Sequence, residues 1–461
     1  MQKPQPNLKR ELIPNEMLET SSSADKGVVL PIYPQEEKRR LDTENLLELV
    51  LSRDNMFKAL DKVKKNKGAA GIDGMSTEAL PKYLKENWLE IKTKIETGKY
   101  KPSSVRKVEI PKDDGSKRML GIPTVLDRLI QQAISQVLIE LYDGEFSEHS
   151  FGFRPGRSTH QAVERAKYLI ESGYEYIVDL DIEKFFDRVN HDYLMSRLSS
   201  VILDKRLLLL IRRYLQSGIM ENGITTYRED GMPQGSPLSP ILSNILLDEL
   251  DKELEHRGHK FVRYADDCTI YTRNLRAGER IMSSIQRFIE KRLKLRLNES
   301  KSGVRRPDEI KLLGFSFYHN KKGKWLIRIS KKSKKKLKEK MAIITKRHRS
   351  GSIESIIVES KRILRGWGNY FKLTELKNEL SEIDGWVRTR LRMLIWTRWK
   401  RIRTRIRELR KLGISAENSI RWSMSRKGCC RIAHSPILKQ SLTNAYFRSL
   451  GYFELSSLVS N

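Results

Sequence analysis

Apolar residues along this chain change their spacing several times, and each change predicts a different element. The three-to-four spacing that begins at Leu46 predicts a helix, and a second helix is predicted over residues 56–63. β-branched runs alternate with helical stretches from there to about residue 320. These runs predict strands at residues 105–110, 176–182, 261–272, 312–318 and 324–329. This order of elements predicts an α+β fold around a mainly antiparallel sheet.

The two ends of the chain lack this alternation. Residues 1–42 are rich in Pro, Gln, Glu, Ser and Lys and have no hydrophobic period, which predicts a disordered or extended arm. From Ser330 the pattern is that of basic helices, and one long helix is predicted from Val387 to about Leu412. The C-terminal third is therefore expected to be helical.

Charge is distributed unevenly over the 461 residues. The chain has 89 Lys and Arg against 58 Asp and Glu, a net charge of +31. Residues 301–461 hold 40 of those basic groups and 12 of the acidic ones, so this third alone carries +28. A field of that size favours a polyanionic partner, which makes nucleic acid the expected one and a small-molecule enzyme the less favoured class.

Several other classes are disfavoured by the composition. Aliphatic runs such as Leu207–Ile211 are too short to cross a membrane, and the polar N-terminus has no apolar signal core. Cys268, Cys429 and Cys430 form neither a disulfide framework nor a paired zinc motif. We therefore expect no membrane partner and a reduced, cytoplasmic compartment.

Acidic residues interrupt two of the predicted strands. Asp179 and Asp181 lie two positions apart and share one face of their strand. Asp266 and Asp267 are adjacent between two apolar strands, so they are expected at the turn of a hairpin. Carboxylates held together repel one another, and a divalent cation relieves that cost. All-oxygen donors favour Mg²⁺ over zinc.

Each acidic motif alone is more typical of a solvated turn or a helix cap. The set is more specific, because a turn-dense loop, Gly231-Met-Pro-Gln-Gly-Ser-Pro-Leu-Ser-Pro240, lies between the two motifs and leads into an amphipathic helix. The glycine-spaced loop over residues 68–74 lacks the Gly-Lys-Ser/Thr ending of a nucleotide P-loop. By itself it indicates only a flexible loop.

Together these motifs resemble a known family. The Tyr-Ala-Asp-Asp box at 264–267, the Pro-Gln-Gly-Ser-Pro-Leu-Ser-Pro loop at 233–240 and the Asp-x-x-x-Phe-Phe motif at 181–186 are similar to the right-hand polymerase palm of reverse transcriptases. Ser-Phe-Gly-Phe-Arg-Pro-Gly-Arg at 150–157 and Gly-Ile-Pro-Thr-Val-Leu-Asp-Arg-Leu-Ile-Gln-Gln at 121–132 narrow the resemblance to group II intron-encoded proteins of the bacterial class IIC type. The resemblance extends from about Thr43 to the C-terminus.

The resemblance implies an order of domains. After the arm, residues 43–100 would form an N-terminal extension with fingers, in which the loop at 68–74 resembles a lid. Residues 101–320 would form the fingers and palm, and residues 321–412 a helical thumb and maturase (X) domain. Residues 413–461 would form a small basic DNA-binding domain. Many relatives continue into a zinc-containing HNH nuclease, and the paired cysteines expected of one are missing here.

The resemblance also implies a catalytic mechanism. Two Mg²⁺ ions would be held by Asp181, Asp266 and Asp267, with Asp179 a weaker candidate. Phe186 matches the residue that excludes ribonucleotides, although Phe185 and Phe186 could both be plain core residues. Gln234 and Gly235 match positions that touch the incoming dNTP.

Basic residues complete the implied contacts. Lys112 and Arg118 match positions that hold the triphosphate, whereas without the resemblance they would be surface charges on a hairpin. The nucleic-acid contacts that we predict are Arg154, Arg157, Lys334, Lys335, Arg398, Arg401, Arg405, Arg426 and Lys427.

These features predict an RNA-directed DNA polymerase that also acts as a maturase. Its partners would be group II intron RNA, an RNA template with a DNA primer, target DNA and dNTPs, and a homodimer is left open. Without an HNH nuclease, mobility by target-primed reverse transcription would use an existing DNA 3′ end, within bacterial cytoplasm or nucleoid.

Two alternatives stay open. A splicing-only maturase needs no Mg²⁺ ligands, so the intact acids disfavour it. A host-recruited reverse transcriptase in defence or repair is disfavoured by the maturase-like C-terminal region. A viral-type RNA replicase shares the palm, but Phe186 argues against the use of ribonucleotides.

Overall fold

A computed structural model describes residues 42–111, 115, 117–221, 224–226 and 229–459 of the chain. The arm predicted for residues 1–42 lies, except for Asp42, outside the described residues, and so does Lys112. Within the described part, no helix is long and apolar enough to cross a membrane.

The strands and helices alternate up to residue 329 and only helices follow. The strands are β1 (Val105–Pro111), β2 (Lys117–Ile122), β3 (Tyr176–Asp181), β4 (Ile219–Glu221), β5 (Ile224–Thr226), β6 (Lys260–Tyr264), β7 (Asp267–Thr272), β8 (Gly303–Arg305), β9 (Phe315–His319) and β10 (Trp325–Ile329). The helices before β10 are α1 (Leu46–Leu51), α2 (Arg53–Asn66), α3 (Leu80–Glu96), α4 (Val125–Tyr142), α5 (Thr159–Glu171), α6 (Phe185–Arg188), α7 (His191–Ser199), α8 (Lys205–Leu215), α9 (Ser239–His256) and α10 (Leu275–Lys291). Those after it are α11 (Lys331–Ile344), α12 (Ile353–Tyr370), α13 (Lys377–Arg398), α14 (Ile402–Lys411), α15 (Ala416–Ser423), α16 (Cys429–His434), α17 (Pro436–Ser441) and α18 (Asn444–Ser449).

Two four-stranded sheets and one hairpin make up the β-structure of the described residues. The first sheet has the order β2-β1-β4-β5, in which β1 pairs in parallel with β4 and the other pairs are antiparallel. The second sheet has the order β6-β7-β3-β8 and is antiparallel throughout. Strands β9 and β10 form the hairpin. Every run that the sequence predicts as a strand lies in one of these units, and the α+β fold is confirmed.

A buried carboxylate joins the helices beneath the first sheet. Thr124 caps α4, and Asp127 in the first turn accepts hydrogen bonds from the hydroxyls of Thr124 (2.7 Å), Tyr100 (2.8 Å) and Tyr214 (3.2 Å). Burial raises the pKa of Asp127, and these donors oppose that rise because they stabilise its charged form. The cluster ties α4 to α8 and to the chain leading into β1.

The prediction of one long helix from Val387 to Leu412 is wrong. Helix α13 ends at Arg398, and the next helix begins at Ile402. Arg405 accounts for the break: its Nε donates to the carbonyl oxygen of Trp399 at 2.9 Å, and its guanidinium lies 4.4 Å from the ring centroid of Trp396. The apolar spacing continues across the break, so periodicity alone could not reveal this contact.

The C-terminal helices share one hydrophobic core with α13. Leu438, Leu442 and Phe447 are fully buried in the cluster that also contains residues of α12 and α13. Asp384 of α13 is likewise buried and accepts hydrogen bonds from the hydroxyl of Tyr452 and the backbone N–H groups of Leu455 and Ser456, at 2.9–3.0 Å. The segment after residue 413 is therefore part of the helical body.

We expect Asp384→Ala to lower the free energy of unfolding by about 3 kcal/mol, because it leaves two buried donors and one part-buried donor without an acceptor. Tyr452→Phe removes one of those hydrogen bonds and should cost about 1 kcal/mol. Urea denaturation followed by tryptophan fluorescence measures both. A midpoint for Asp384→Ala equal to that of the unsubstituted chain would show that the segment is not held by this carboxylate.

Candidate active site

The second sheet brings the predicted acidic residues to one edge. Asp181 ends β3 and pairs in register with Asp267, the first residue of β7. Asp267 also pairs with Tyr264 at the end of β6, so Ala265 and Asp266 form a two-residue turn. The hairpin predicted from the sequence is confirmed, and it presents Asp266 and Asp267 beside Asp181.

The backbone of this turn is strained and tightly packed. Ala265 has φ of 58°, a left-handed conformation that normally favours glycine. Gly152 lies against the turn so closely that a Cβ on it would sit 2.3 Å from the backbone nitrogen of Ala265. The carbonyl oxygen of Gly152 accepts a hydrogen bond from Asn244 of α9 at 2.9 Å. This explains the glycine in the Ser-Phe-Gly-Phe motif, since only glycine allows this approach.

A fully buried ion pair between β6 and α9 holds the turn in place. Arg263 of β6 and Asp251 of α9 both have fully buried side chains, and Arg263 donates to both carboxylate oxygens of Asp251. Arg263 Nη1 also donates to Asn244 Oδ1 at 3.1 Å and to the carbonyl oxygen of Ala265 at 3.0 Å. One guanidinium therefore fixes the hairpin, the turn and α9 together.

Arg154 of the same motif has a structural role. Its side chain is 5% exposed and forms an ion pair with Asp143 at 2.7 Å. It also donates to the carbonyl oxygens of Asp143, Ser147 and Ser150. We therefore correct the prediction that Arg154 contacts nucleic acid, because protein groups occupy its guanidinium.

An open cleft of about 760 Å³ lies over the acidic edge. The predicted residues that line it are Asp181, Asp266, Asp267, Arg118, Phe186 and Gln234. Three cations that the sequence pattern did not indicate, Lys117, Lys184 and Lys301, line it as well. The structure thus brings together residues from β2, β3, α6, the Pro-Gln-Gly loop and the hairpin turn.

The carboxylates in the cleft disturb one another electrostatically. The pKa of Asp267 is raised to about 6, first by burial and then by the charges of Asp266, Asp179 and Asp181. Burial also raises the pKa of Asp266, and Arg118 opposes that rise. A divalent cation would relieve this repulsion, and the all-oxygen donor set suits Mg²⁺. The residues present therefore fit the metal chemically.

The side chains of these acids share an edge without converging on one point. Among the described residues, no three His, Cys, Asp or Glu side chains form a ready metal-binding group. Lys301 Nζ lies 3.5 Å from Asp181, and Arg305 Nη1 lies 3.0 Å from Asp179. Asp179 is thus neutralised by an arginine, consistent with its place as the weaker candidate.

Phe185 and Phe186 have different environments. Phe185 is 2% exposed and belongs to the core, whereas Phe186 is half-buried and lines the cleft. The carbonyl oxygen of Phe186 accepts a hydrogen bond from the N–H of Met232 at 2.6 Å. Gly231, at φ of 89°, lies so close that a Cβ on it would come within 2.9 Å of the same oxygen. The loop between β5 and α9 therefore holds the backbone of Phe186 in place.

The Pro-Gln-Gly loop is attached to the first sheet. The carbonyl oxygen of Gln234 accepts a hydrogen bond from the N–H of Gly121 in β2 at 2.9 Å. Gly235 has φ of 108°, which glycine adopts without strain. Ser236 is buried, and its hydroxyl bonds Gln131 of α4 and the N–H of Leu238, so Ser236 holds the loop.

A second cleft of about 680 Å³ adjoins the first and shares Asp266, Phe186 and Gln234 with it. Its wall includes Phe153, which is 48% exposed and has φ of 60°, and Arg128 of α4. Arg128 donates to the carbonyl oxygen of Ala69, which attaches the glycine-spaced loop to this wall. The exposure and the left-handed backbone of Phe153 could not be predicted from the sequence alone.

The remaining predicted contacts fall into three groups. Arg405 is half-buried, lies over Trp396 and donates to the carbonyl oxygens of Trp399 and Ser423, and its contact with nucleic acid stays a prediction. Three other side chains are half-buried and make contacts within the protein. Arg157 lies over the ring of Phe151, Arg398 donates to the carbonyl oxygen of Arg349, and Lys334 forms an ion pair with Glu379. The exposed ones are Lys335, Arg401, Arg426 and Lys427.

Two family models match the chain. Residues 110–317 match the reverse transcriptase (RNA-dependent DNA polymerase) family, and residues 334–413 match the group II intron maturase-specific domain. The first match contains the cleft with its three acids, and the second contains α12, α13 and α14. Together they cover more than half of the chain.

Curated relatives agree with the two family models. Protein YkfC of Escherichia coli K12 is 29% identical over 304 residues, which cover 57% of this chain and 80% of that protein. The group II intron-encoded protein LtrA of Lactococcus lactis is 36% identical over 226 residues, covering 47% of this chain and 36% of LtrA. An uncharacterised 91 kDa protein in the cob intron of Schizosaccharomyces pombe is 35% identical, covering 48% and 27%. The chain thus spans only about a third of the two intron proteins.

Among solved structures, a chain of a partial Cas6-RT-Cas1–Cas2 complex matches with a TM-score of 0.34 and 23% identity, covering 53% of this chain and 42% of that one. The two family models and the intron-encoded relatives lead to the same assignment. The chain belongs to the family of group II intron-encoded reverse transcriptases and maturases.

Proposed function

We propose that this chain extends a DNA primer on an RNA template, assists splicing of its own intron RNA, and supports intron mobility by target-primed reverse transcription. The observation that carries the proposal is the single cleft that holds Asp181, Asp266 and Asp267 together with Phe186 and Arg118. A chain that only bound RNA would have no need for this combination of carboxylates, aromatic ring and cation.

Asp181, Asp266 and Asp267 are the residues that would hold two Mg²⁺ ions. Ions bound there would lower the pKa of the primer 3′-hydroxyl and would neutralise charge on the leaving pyrophosphate. The turn that carries Asp266 is fixed by Arg263, so this carboxylate is oriented before any ligand binds.

Arg118, Lys117 and Lys301 are suited to hold the triphosphate of a dNTP. Arg118 and Lys117 extend from β2 on one side of the cleft, and Lys301 follows α10 and pairs with Asp181. Cations that line a cleft opposite carboxylates can position phosphate groups without neutralising every acid. The role proposed for Lys112 stays a prediction, since it lies outside the described residues.

Phe186 is proposed to select deoxynucleotides. Its ring lines the cleft that contains the acids, and its backbone is fixed by Met232. A ring held in this position beside the sugar leaves no room for a ribose 2′-hydroxyl.

The domain roles follow the same proposal. Residues 43–100 and 101–320 would bind template, primer and dNTP, and residues 321–412 would form the thumb and maturase region that binds intron RNA. Residues 413–461 would contact target DNA through exposed residues such as Arg426 and Lys427. A homodimer and the bacterial cytoplasm remain part of the proposal.

The proposed function and its two alternatives predict different results in a primer-extension assay and a splicing assay. Primer extension on poly(rA) with oligo(dT) and Mg²⁺ should give cDNA if the proposal holds. A splicing-only maturase would bind intron RNA and give no extension. A reverse transcriptase recruited to defence or repair would extend the primer but would not stimulate intron splicing, which a splicing assay with the flanking intron measures.

We expect Asp181→Asn to reduce primer extension on the order of 1,000-fold, because it removes a charge from the acidic edge. Asp179→Asn, on the same strand but paired with Arg305, is the matched control and should lose less than about tenfold. RNA affinity should be unchanged in both variants. Normal extension by Asp181→Asn would contradict the assignment of the acids.

Phe186→Ala should relax sugar selection on the order of 100-fold, because it opens space beside the sugar. Single-nucleotide addition with dTTP and UTP measures the ratio. Phe185→Leu keeps most of the buried volume and serves as the control. Relaxed selection in Phe185→Leu but not in Phe186→Ala would place the selecting residue one position earlier.

Gly152→Ala should slow primer extension at least about tenfold, since the new Cβ would displace the turn that carries Asp266. Gly366→Ala, on the exposed face of α12 where a Cβ meets no atom within 4 Å, is the control and should extend at the normal rate. Thermal unfolding of both variants separates a displaced turn from a lost fold. Full activity in a folded Gly152→Ala would show that the turn tolerates displacement.

A further inference from the structure

A third cleft lies where α13 meets the C-terminal helices. It has a volume of about 640 Å³ and is lined by Gly385, Arg388 and Arg392 of α13, by His434 of α16 and Lys439 of α17, and by residues at the start of α18. No aspartate or glutamate is among these lining residues of the described chain. We call it the α13–α17 cleft, and it is separate from the two clefts at the acidic edge.

Arg392 is the most buried of the cations that line the α13–α17 cleft. The residue is 6% exposed, its Nε donates to the carbonyl oxygen of Leu442 at 2.9 Å, and its guanidinium lies 5.5 Å from the ring centroid of Phe447. Within the described chain, the contacts of this side chain leave its Nη1 and Nη2 without a hydrogen-bond or ion-pair partner. The plane of the guanidinium is thus fixed while its outer edge stays available.

Arg388 adds a second positive charge one helical turn away. Like charges at this spacing repel, and both burial and Arg388 lower the pKa of Arg392. Arg388 pairs with Glu454 at 3.3 Å, but Glu454 is shared with Arg448 at 3.4 Å. One carboxylate therefore serves two arginines, and the local charge stays positive.

The shape of the α13–α17 cleft leaves room for a ligand. Gly385 lies within α13, where glycine costs about 1 kcal/mol relative to alanine. A Cβ built on Gly385 meets no atom within 4 Å, so no packing contact requires glycine there. Lys439 of α17 lines the opposite side and is exposed.

We propose that the α13–α17 cleft binds a phosphodiester group of a nucleic acid strand, with Arg392 and Lys439 as its direct contacts. A planar guanidinium with a free edge matches two phosphate oxygens, and a lysine adds a point charge from the other wall. The bound phosphate offsets the repulsion between Arg388 and Arg392. This proposal rests on the nucleic-acid binding of the proposed function and gives it a specific site.

The test measures binding of a labelled single-stranded RNA, and separately of a labelled DNA duplex, by fluorescence anisotropy without dNTPs or Mg²⁺. Arg392→Gln combined with Lys439→Ala keeps a donor for the Leu442 carbonyl oxygen and removes both contacts. We expect about tenfold weaker binding and a salt dependence flatter by about 1 unit on a log–log slope. Loss for RNA alone or for DNA alone supports the site and identifies the strand.

Gly385→Leu tests the same cleft without a change of charge. It fills the open space and favours the helix, so the protein should fold while binding weakens to a similar extent. Lys361→Ala removes one positive charge from an exposed position of α12 outside the cleft and, as the surface control, should bind normally. Unchanged affinity for both nucleic acids in both cleft variants, or an equal loss in Lys361→Ala, would overturn the proposal. Because the assay needs no polymerisation, a chain without polymerase activity gives the same answer.

Discussion

The position of the acidic edge depends on one ion pair that water does not reach. Arg263 and Asp251 are fully buried, and taking both charges out of water is costly unless every remaining donor is satisfied. Here the same guanidinium also bonds Asn244 and the carbonyl oxygen of Ala265. Removing one partner of such a pair typically costs about 3 to 5 kcal/mol, so the turn is held far more firmly than a surface hairpin.

This firmness allows the turn to keep a conformation that a free hairpin would avoid. Ala265 stays at φ of 58° because Arg263 holds its carbonyl oxygen and Gly152 packs directly against its backbone nitrogen. Burial raises the pKa of Asp267, and the charges of the neighbouring acids raise it further. The fold therefore stores both backbone strain and charge repulsion at the same place, which is typical of a site that binds a cationic or phosphate ligand.

Much of this edge could be predicted from the sequence because its signals are local. Asp181, Asp266 and Asp267 lie in or beside short strands whose apolar residues identify them, and the turn between Tyr264 and Asp267 follows from the pairing of adjacent strands. Arg154 and Lys301 could not be assigned in this way. The partners of Arg154 lie only 4 to 11 positions away, but in an irregular segment whose path the sequence pattern does not reveal, and the pairing of Lys301 with Asp181 spans 120 positions of sequence.

The basic C-terminal third shows why composition predicts a partner class better than it predicts contacts. Arg405, Arg392 and Arg426 all belong to the segment that carries +28, yet their environments differ. Arg405 contacts Trp396 and backbone oxygens, Arg392 donates one hydrogen bond to a backbone oxygen, and Arg426 is exposed. Arginine stacks on aromatic rings and binds carbonyl oxygens as readily as it binds phosphate. The excess charge is therefore divided between holding α13 to its neighbours and forming the surface that a polyanion can neutralise, and only burial distinguishes the two.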